Sequence, residues 1–456
     1  MSDQCAQAIA YAHSNREQFL ENLKNLVAIP SVSTNPENVT DMQRAAETIA
    51  GKLREIGIEN VRVYPTGGHP VVYADWLHLP GAPTVLIYGH YDVQPSEPDD
   101  LWHTAPFEPT QRGENLYGRG ASDMKGQVIA ALSAIESIMR ASGALPVNVK
   151  FIIEGEEEIG SPHLTPFIEA NSALLACDFC LNADAGMISA DTPTITYGLR
   201  GLAYFELRVY GPAGDLHSGL YGGVIHNPAQ ALCELIAGMH DDQGRVTLPG
   251  YYDRVRLLSD KEREESARLP MNEEYYKQQT GVPAVWGEAG YAPAERVGAR
   301  PTLEINGLLS GFTGKGSKTV LPAYAMAKIS MRLVPDQDPE EVHQQLLRYL
   351  EERAPKTIRW ELDAMAGGPA SMTDPNHPAA QALGRALEEV WGKRPVFKRE
   401  GGSIPVVADM QKILGAESVL TGFGLPDDNL HAPNEKLHLP TWYKGIDALV
   451  RFFYNL

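Results

Sequence analysis

The stretch FIIEGEEEIGS, residues 151–161, passes within three residues from apolar to densely acidic. Phe151 to Ile153 read as the end of a buried strand. Glu154, Glu156, Glu157 and Glu158 follow, and no Lys or Arg occurs between Phe151 and Arg200. Like charges repel, and an unpaired carboxylate is costly to bury. A strand that ends this way needs water around it or a positive partner from elsewhere, a bound cation included.

The same pattern occurs twice more. TVLIYGHYDVQP runs into His90 and Asp92, and DFCLNADAG runs into Asp184. A helical pattern from Lys125 to Arg140 separates the first acidic segment from the second. Strands alternating with helices predict an α/β sheet with mainly parallel strands. In such open sheets, ligands bind outside the carboxyl ends of the strands.

Further out, helices are expected over about 3–27 and 41–56, the second ended by Gly57. Near residue 198 the pattern changes. GLRGLAYFELRVYG alternates apolar and polar residues, as does an antiparallel strand with one wet face. Helices are expected over 227–240 and 338–352, with strands in TLEINGLLSGF and KTVLPAYAMAKISMRLVP. Residues 241–300 read as a long polar connection. From about 376 helices and strands alternate again. The expected organisation is one α/β domain, residues 1–197 plus 376–456, interrupted by an α+β domain, 198–375.

The net charge of −19, from 39 basic and 58 acidic residues, argues against nucleic acid or an anionic membrane as partner. It leaves cation binding open. Four cysteines in 456 residues are no disulfide framework. The N-terminus lacks a signal-peptide pattern, and no apolar run reaches ~18 residues. The expected location is the cytoplasm.

Two further segments join the acidic strand ends, and the opening one bears a closer reading. GRGASDMKG places Asp123 in a glycine-rich turn before a helix, where it is a helix cap or a ligand. EGEEEIGS offers Glu157 and Glu158 side by side, suited to one ligand and one proton carrier. NLHAPNEKL adds His431. Asp92, two residues after His90, can fix the tautomer of a metal-bound imidazole. Each motif alone is weak. Together they bring five acids and two histidines to one crevice, and two divalent ions would offset four of the five negative charges.

Elsewhere, Cys177 and Cys180 read as ordinary buried cysteines, with a redox pair as the rival. His217 lies among glycines in GDLHSGLYGG. The glycines of REGGSIP, residues 399–405, precede a helix and suit an anion. Arg332 is either a solvated strand charge or a clamp for a carboxylate.

The chain resembles the M20 metallopeptidases, the group with carnosinase-like and nonspecific cytosolic dipeptidases, aminoacylase, desuccinylases and glutamate carboxypeptidase. The motifs GHYDVQP, GRGASDMKG, EGEEEIGS, DLHSGLYGG, GSKTVLP, RLVP and REGGSIP carry the resemblance, which spans nearly the whole chain and is nearest the dipeptidase branch. It implies a zinc-peptidase-like catalytic domain and an inserted ferredoxin-like lid that forms a homodimer. It implies two divalent ions per subunit, zinc first and manganese or cobalt as alternatives, held by His90, Asp123, Glu158, Asp184 and His431, with Asp123 bridging. Asp92 would steady His90, Glu157 would be the general base, and His217 would reach the partner's site. Thr319, Arg332, Gly402 and Ser403 would contact the substrate, a small peptide with a free C-terminal carboxylate. A deacylase, desuccinylase or carboxypeptidase of the same family is the alternative. A metal-containing binding protein without turnover is a rival of another class.

Overall fold

A computed structural model describes residues 3–456. The principal strands, in chain order, are β1 (Glu59–Tyr64), β2 (Val71–Trp76), β3 (Thr84–His90), β4 (Asn148–Glu154), β5 (Phe179–Asn182), β6 (Thr194–Leu199), β7 (Gly201–Tyr210), β8 (Thr302–Ser310), β9 (Tyr324–Leu333), β10 (Arg359–Gly368) and β11 (Glu417–Leu420). The chain forms two compact units. The first comprises residues 1–197, 373–398 and 409–456; the second comprises 198–372 and 399–408.

The first unit is built on a mixed sheet in the order β1-β2-β4-β3-β5-β11-β6. Its centre, β4-β3-β5-β11, is parallel, and the outer pairings are antiparallel. Every residue of β2, β4 and β5 is buried, so apolar residues predominate without an alternating wet face, and the polar Asp75 of β2 and Lys150 of β4 are buried with them. The helix Lys125–Ser142 is buried along almost its whole length, packed against β3 and against the helices Asp3–Ser14 and Leu439–Asn455. Register then does the positioning. His90 pairs with Glu154, Tyr88 with Asn182, and Leu420 with Asn182. The residues that follow β3, β4, β5 and β11 therefore emerge at one edge of the sheet.

The expected helix 3–27 is two helices, Asp3–Ser14 and Arg16–Val27, broken at Asn15. The Asn15 side chain donates to the Tyr11 carbonyl and Ser14 Oγ to the Ala10 carbonyl, so both residues draw hydrogen bonding away from the helix ladder.

The second unit contains a four-stranded antiparallel sheet in the order β8-β9-β7-β10. In chain order it reads β7, helix Pro228–Ala237, β8, β9, helix Pro339–Arg353, β10. This is the ferredoxin-like arrangement. Along β7 and β9 buried and half-buried residues alternate. Phe205, Leu207, Ile329 and Met331 join Leu232, Leu235, Leu346 and Leu350 of the helices in one core. Lys328, Ser330 and Arg332 occupy the alternate, wetter positions of β9. The connection 241–300 carries three short helices, Asp260–Ala267, Glu273–Thr280 and Pro293–Ala299.

Segment 399–408, expected with the α/β domain, groups with the second unit. Arg200 explains it: its backbone N–H donates to the Gly402 carbonyl and its Nε to the Gly401 carbonyl. Arg399 also pairs with Glu262, and Arg332 donates to Ser403.

Candidate functional site

In the first unit, His90 ends β3 and is completely buried. Its Nδ1 lies 3.3 Å from Asp92 Oδ1. Its Nε2 lies 3.3 Å from Asp123 Oδ1 and 3.8 Å from Asp184 Oδ2, yet has no hydrogen-bond partner. On the other side, His431 Nε2 lies 3.1 Å from Asp123 Oδ2 and 3.3 Å from Glu158 Oε2. Asp123 thus offers one oxygen to each imidazole. His90, Asp123 and Glu158 have ligand atoms within 4.8 Å of one another.

Asp92 is buried and organises two neighbours. Besides meeting His90, it accepts the backbone N–H groups of Glu157 and Glu158 at 3.2 and 3.1 Å. Those bonds fix the turn Glu157–Ile159 that follows β4. Gln94 donates to Glu158 Oε2 at 2.8 Å and fixes that carboxylate as well.

The four acids of the opening stretch have separate fates. Glu154 accepts hydrogen bonds from Tyr88 and Ser161, both at 2.8 Å. Glu156 lies 2.9 Å from His163 Nδ1 and accepts the His69 N–H at 3.1 Å. Only Glu157 and Glu158 join the cluster. Glu154 and Glu156 find protein partners that are neither Lys nor Arg.

Asp123 sits in a loop held by a residue that the sequence reading did not single out. Glu435 is fully buried. Its Oε1 accepts the N–H groups of Ser122 and Asp123 at 3.0 and 3.1 Å, and its Oε2 accepts Gly120 N–H at 2.9 Å and Arg119 Nη1 at 2.8 Å. Close packing completes the loop: a Cβ on Gly126 would lie 2.2 Å from the Ala121 carbonyl oxygen. The Asp123–Met124 bond is cis. On the far side, Ala185 N–H donates to the Thr421 carbonyl, and a Cβ on Gly422 would lie 1.4 Å from the Ala185 oxygen, so β11 tethers the Asp184 loop closely.

The electrostatics follow from crowding. Burial, with Asp123 and Glu158 nearby, pushes Asp184 up to about 7. Burial, with Asp184, Glu158 and Asp123 outweighing His90, pushes Glu157 up to about 9. Asp123 is driven up by burial but down more strongly by His431 and His90, and stays below the usual carboxylate range. Hydrogen bonds to Asp123 and Glu158 raise His431 to about 10. A buried imidazole nitrogen with no hydrogen bond, set among crowded carboxylates, fits divalent cations: the donors are the oxygen and imidazole types such ions take.

The other expected site residues lie in the second unit. His217 and Thr319 sit on one small ribbon, in which Leu216–His217 pairs with Val320–Leu321. His217 is exposed, and its Nδ1 accepts the Gly219 N–H at 3.0 Å. Arg332 Nη1 donates to Ser403 Oγ at 2.8 Å, beside the Gly401–Gly402 turn held by Arg200. Cys177, half-buried, and Cys180, buried, place their sulfurs 3.9 Å apart in the first unit.

A central parallel sheet with this donor set at its carboxyl edge has the architecture of an α/β metallohydrolase. Residues 86–455 match the model of Peptidase family M20/M25/M40, and the chain belongs to that family. The Cys-Gly metallodipeptidase DUG1 of Candida albicans is 31% identical over 453 residues, covering 95% of this chain and 93% of the relative. The crystal structure of human carnosine dipeptidase 1 is similar with a TM-score of 0.82 at 31% identity, covering 100% of this chain and 99% of the other. The M20 family metallo-carboxypeptidase Sso-CP2 from Sulfolobus solfataricus gives 0.84 at 34% identity, covering 95% and 98%.

Proposed function

We propose that this protein hydrolyses dipeptides and short peptides bearing a free C-terminal carboxylate, using two divalent ions held by His90, Asp123, Asp184, Glu158 and His431. The observation that carries this reading is the shared carboxylate: Asp123 turns one oxygen to the orphaned His90 Nε2 and the other to His431. The names of the relatives, a Cys-Gly metallodipeptidase and a carnosine dipeptidase, support the substrate class. Zinc suits the mixed imidazole and carboxylate donors, as do manganese and cobalt.

When bound, such ions supply Lewis acidity and a water of lowered pKa. The chain's own residues do the rest. Asp92 orients His90 through Nδ1 and holds the Glu157 turn. Glu157 takes a proton from the attacking water and returns it to the leaving amine. His217 donates a hydrogen bond to the developing oxyanion. Arg332, Ser403, Gly402 and Thr319 hold the substrate, its carboxylate against Arg332. All the proposed ion donors belong to the first unit and all the proposed substrate contacts to the second, so turnover requires both.

The assembly we infer is a homodimer in the cytoplasm, joined through the inserted unit. Edge strand β8 exposes Leu308 and Leu309, with Phe312 just beyond, which supports a second copy there. The exposed His217 then serves the partner's site.

The test is chelation followed by reloading with zinc, manganese or cobalt, assayed on dipeptides beside N-acetyl and N-succinyl amino acids. Dipeptide cleavage that is lost on chelation and restored by metal is expected. Undiminished cleavage after chelation, or preferential release of acyl groups, would overturn the reading.

A further inference from the structure

The second unit contains a partly open cavity of about 410 Å³, within the ~300–1,000 Å³ typical of small-molecule sites. Part of its wall is the sheet face away from the helices. There Thr302 pairs with Arg332 and Glu304 with Ser330 across β8 and β9. Arg200, at the start of β7, lines the same cavity, as do Glu288 and Arg300.

The charges in this wall do not balance. Arg300 is committed to Glu288 by two hydrogen bonds, at 2.7 and 2.8 Å. Arg200 and Arg332 have no carboxylate within ion-pair distance among the described residues. Arg200 gives its Nε to the Gly401 carbonyl and Arg332 gives Nη1 to Ser403, both neutral acceptors. Arg200 is 9% exposed. Burial, with Arg332 nearby and Glu400 and Glu304 only partly offsetting them, lowers it to about 10. Each guanidinium has five donors, so both keep spare ones. A buried cation with no carboxylate in ion-pair contact is costly, Glu400 and Glu304 acting on Arg200 only from further off, and an incoming anion relieves that cost. In a chain of net charge −19, such a pair of arginines is a local exception.

We propose that this cavity receives the residue on the C-terminal side of the scissile bond and favours an acidic one, with the α-carboxylate on Arg332 and the side-chain carboxylate at Arg200. The assignment rests on the peptidase reading for Arg332; the choice of an acidic residue rests on Arg200. Glu304, exposed on the same sheet face, sets a limit on the preference because it repels the same carboxylate.

The test uses the full-length protein and two independent measurements. The first is calorimetric binding of free L-glutamate and L-glutamine. The second is kcat/KM for Ala-Glu and Ala-Gln. The expected result is at least tenfold in favour of glutamate in both. Arg200→Gln should abolish the difference. Glu304→Gln, at an exposed position, should widen it several-fold and guards against a folding defect in the buried variant. Equal binding and equal kcat/KM for the two, with both dipeptides cleaved, overturns the pocket and leaves the peptidase intact. Selective glutamate binding without cleavage of either dipeptide keeps the pocket and overturns the peptidase reading.

Discussion

Glu435→Gln is the substitution whose consequence is best defined by the geometry. The wild-type carboxylate accepts four hydrogen bonds from the Asp123 loop, two on each oxygen, at 2.8–3.1 Å. Glutamine keeps one oxygen. Its NH₂ group faces two N–H donors whichever way the amide turns, so two charge-assisted bonds are lost. At ~1.5–3 kcal/mol each, the cost is about 3–6 kcal/mol. That is a large share of the ~5–15 kcal/mol by which domains are stable, so the variant should fold but unfold at clearly lower urea. Asp123 loses one anchor of its backbone at the same time. Disturbing such an outer partner of a ligand typically weakens metal binding ~10–100-fold. The assay pairs urea denaturation of the metal-free protein with zinc titration against a chromophoric chelator. Unchanged unfolding together with unchanged zinc affinity would refute the reasoning.

Glu157→Gln should keep its metal content while turnover falls ~10²–10⁴-fold; a wild-type rate would show that another group carries the proton. His217→Ala should lose turnover without losing metal, and mixing it with Glu157→Gln subunits should restore part of the activity; no recovery would exclude a shared site. Glu154 is pushed by burial from 4.5 to about 8, so the folded state holds its proton where the unfolded state has released it. Its contribution to stability therefore falls as pH rises between those values, by up to about 1.4 kcal/mol per unit. Glu154→Gln should gain on the wild type from pH 5 to pH 8 in denaturation; a constant difference would mean that Glu154 is ionised in the fold.

Much of this was readable from strand ends. The central strands are covered on both faces, so β3, β5 and the second half of β4 appear as apolar runs, and each stops at a polar residue where the sheet meets its open edge. His90, Glu157, Glu158 and Asp184 could be picked out that way. Glu435 and Gln94 could not. Glu435 lies 312 residues from Asp123, and three of its four partners are backbone N–H groups that leave no mark in side-chain pattern. Its only signal is its place in NLHAPNEKL, four residues after His431. The choice of Glu157 and Glu158 over Glu156 came from the motif, whereas the turn that enforces it is fixed by Asp92 from the loop after β3. The break at Asn15 was hidden because the apolar spacing continues through it. Segment 399–408 looked like the helix–strand pattern around it, whereas its grouping follows from hydrogen bonds to Arg200 and Arg332.

The most direct test is anomalous X-ray diffraction at the zinc edge from crystals of zinc-replenished protein. Two peaks are predicted, one beside His90 and Asp184, the other beside His431 and Glu158, with Asp123 between them. An absence of peaks, with the imidazoles bonded directly to the carboxylates, would contradict the account.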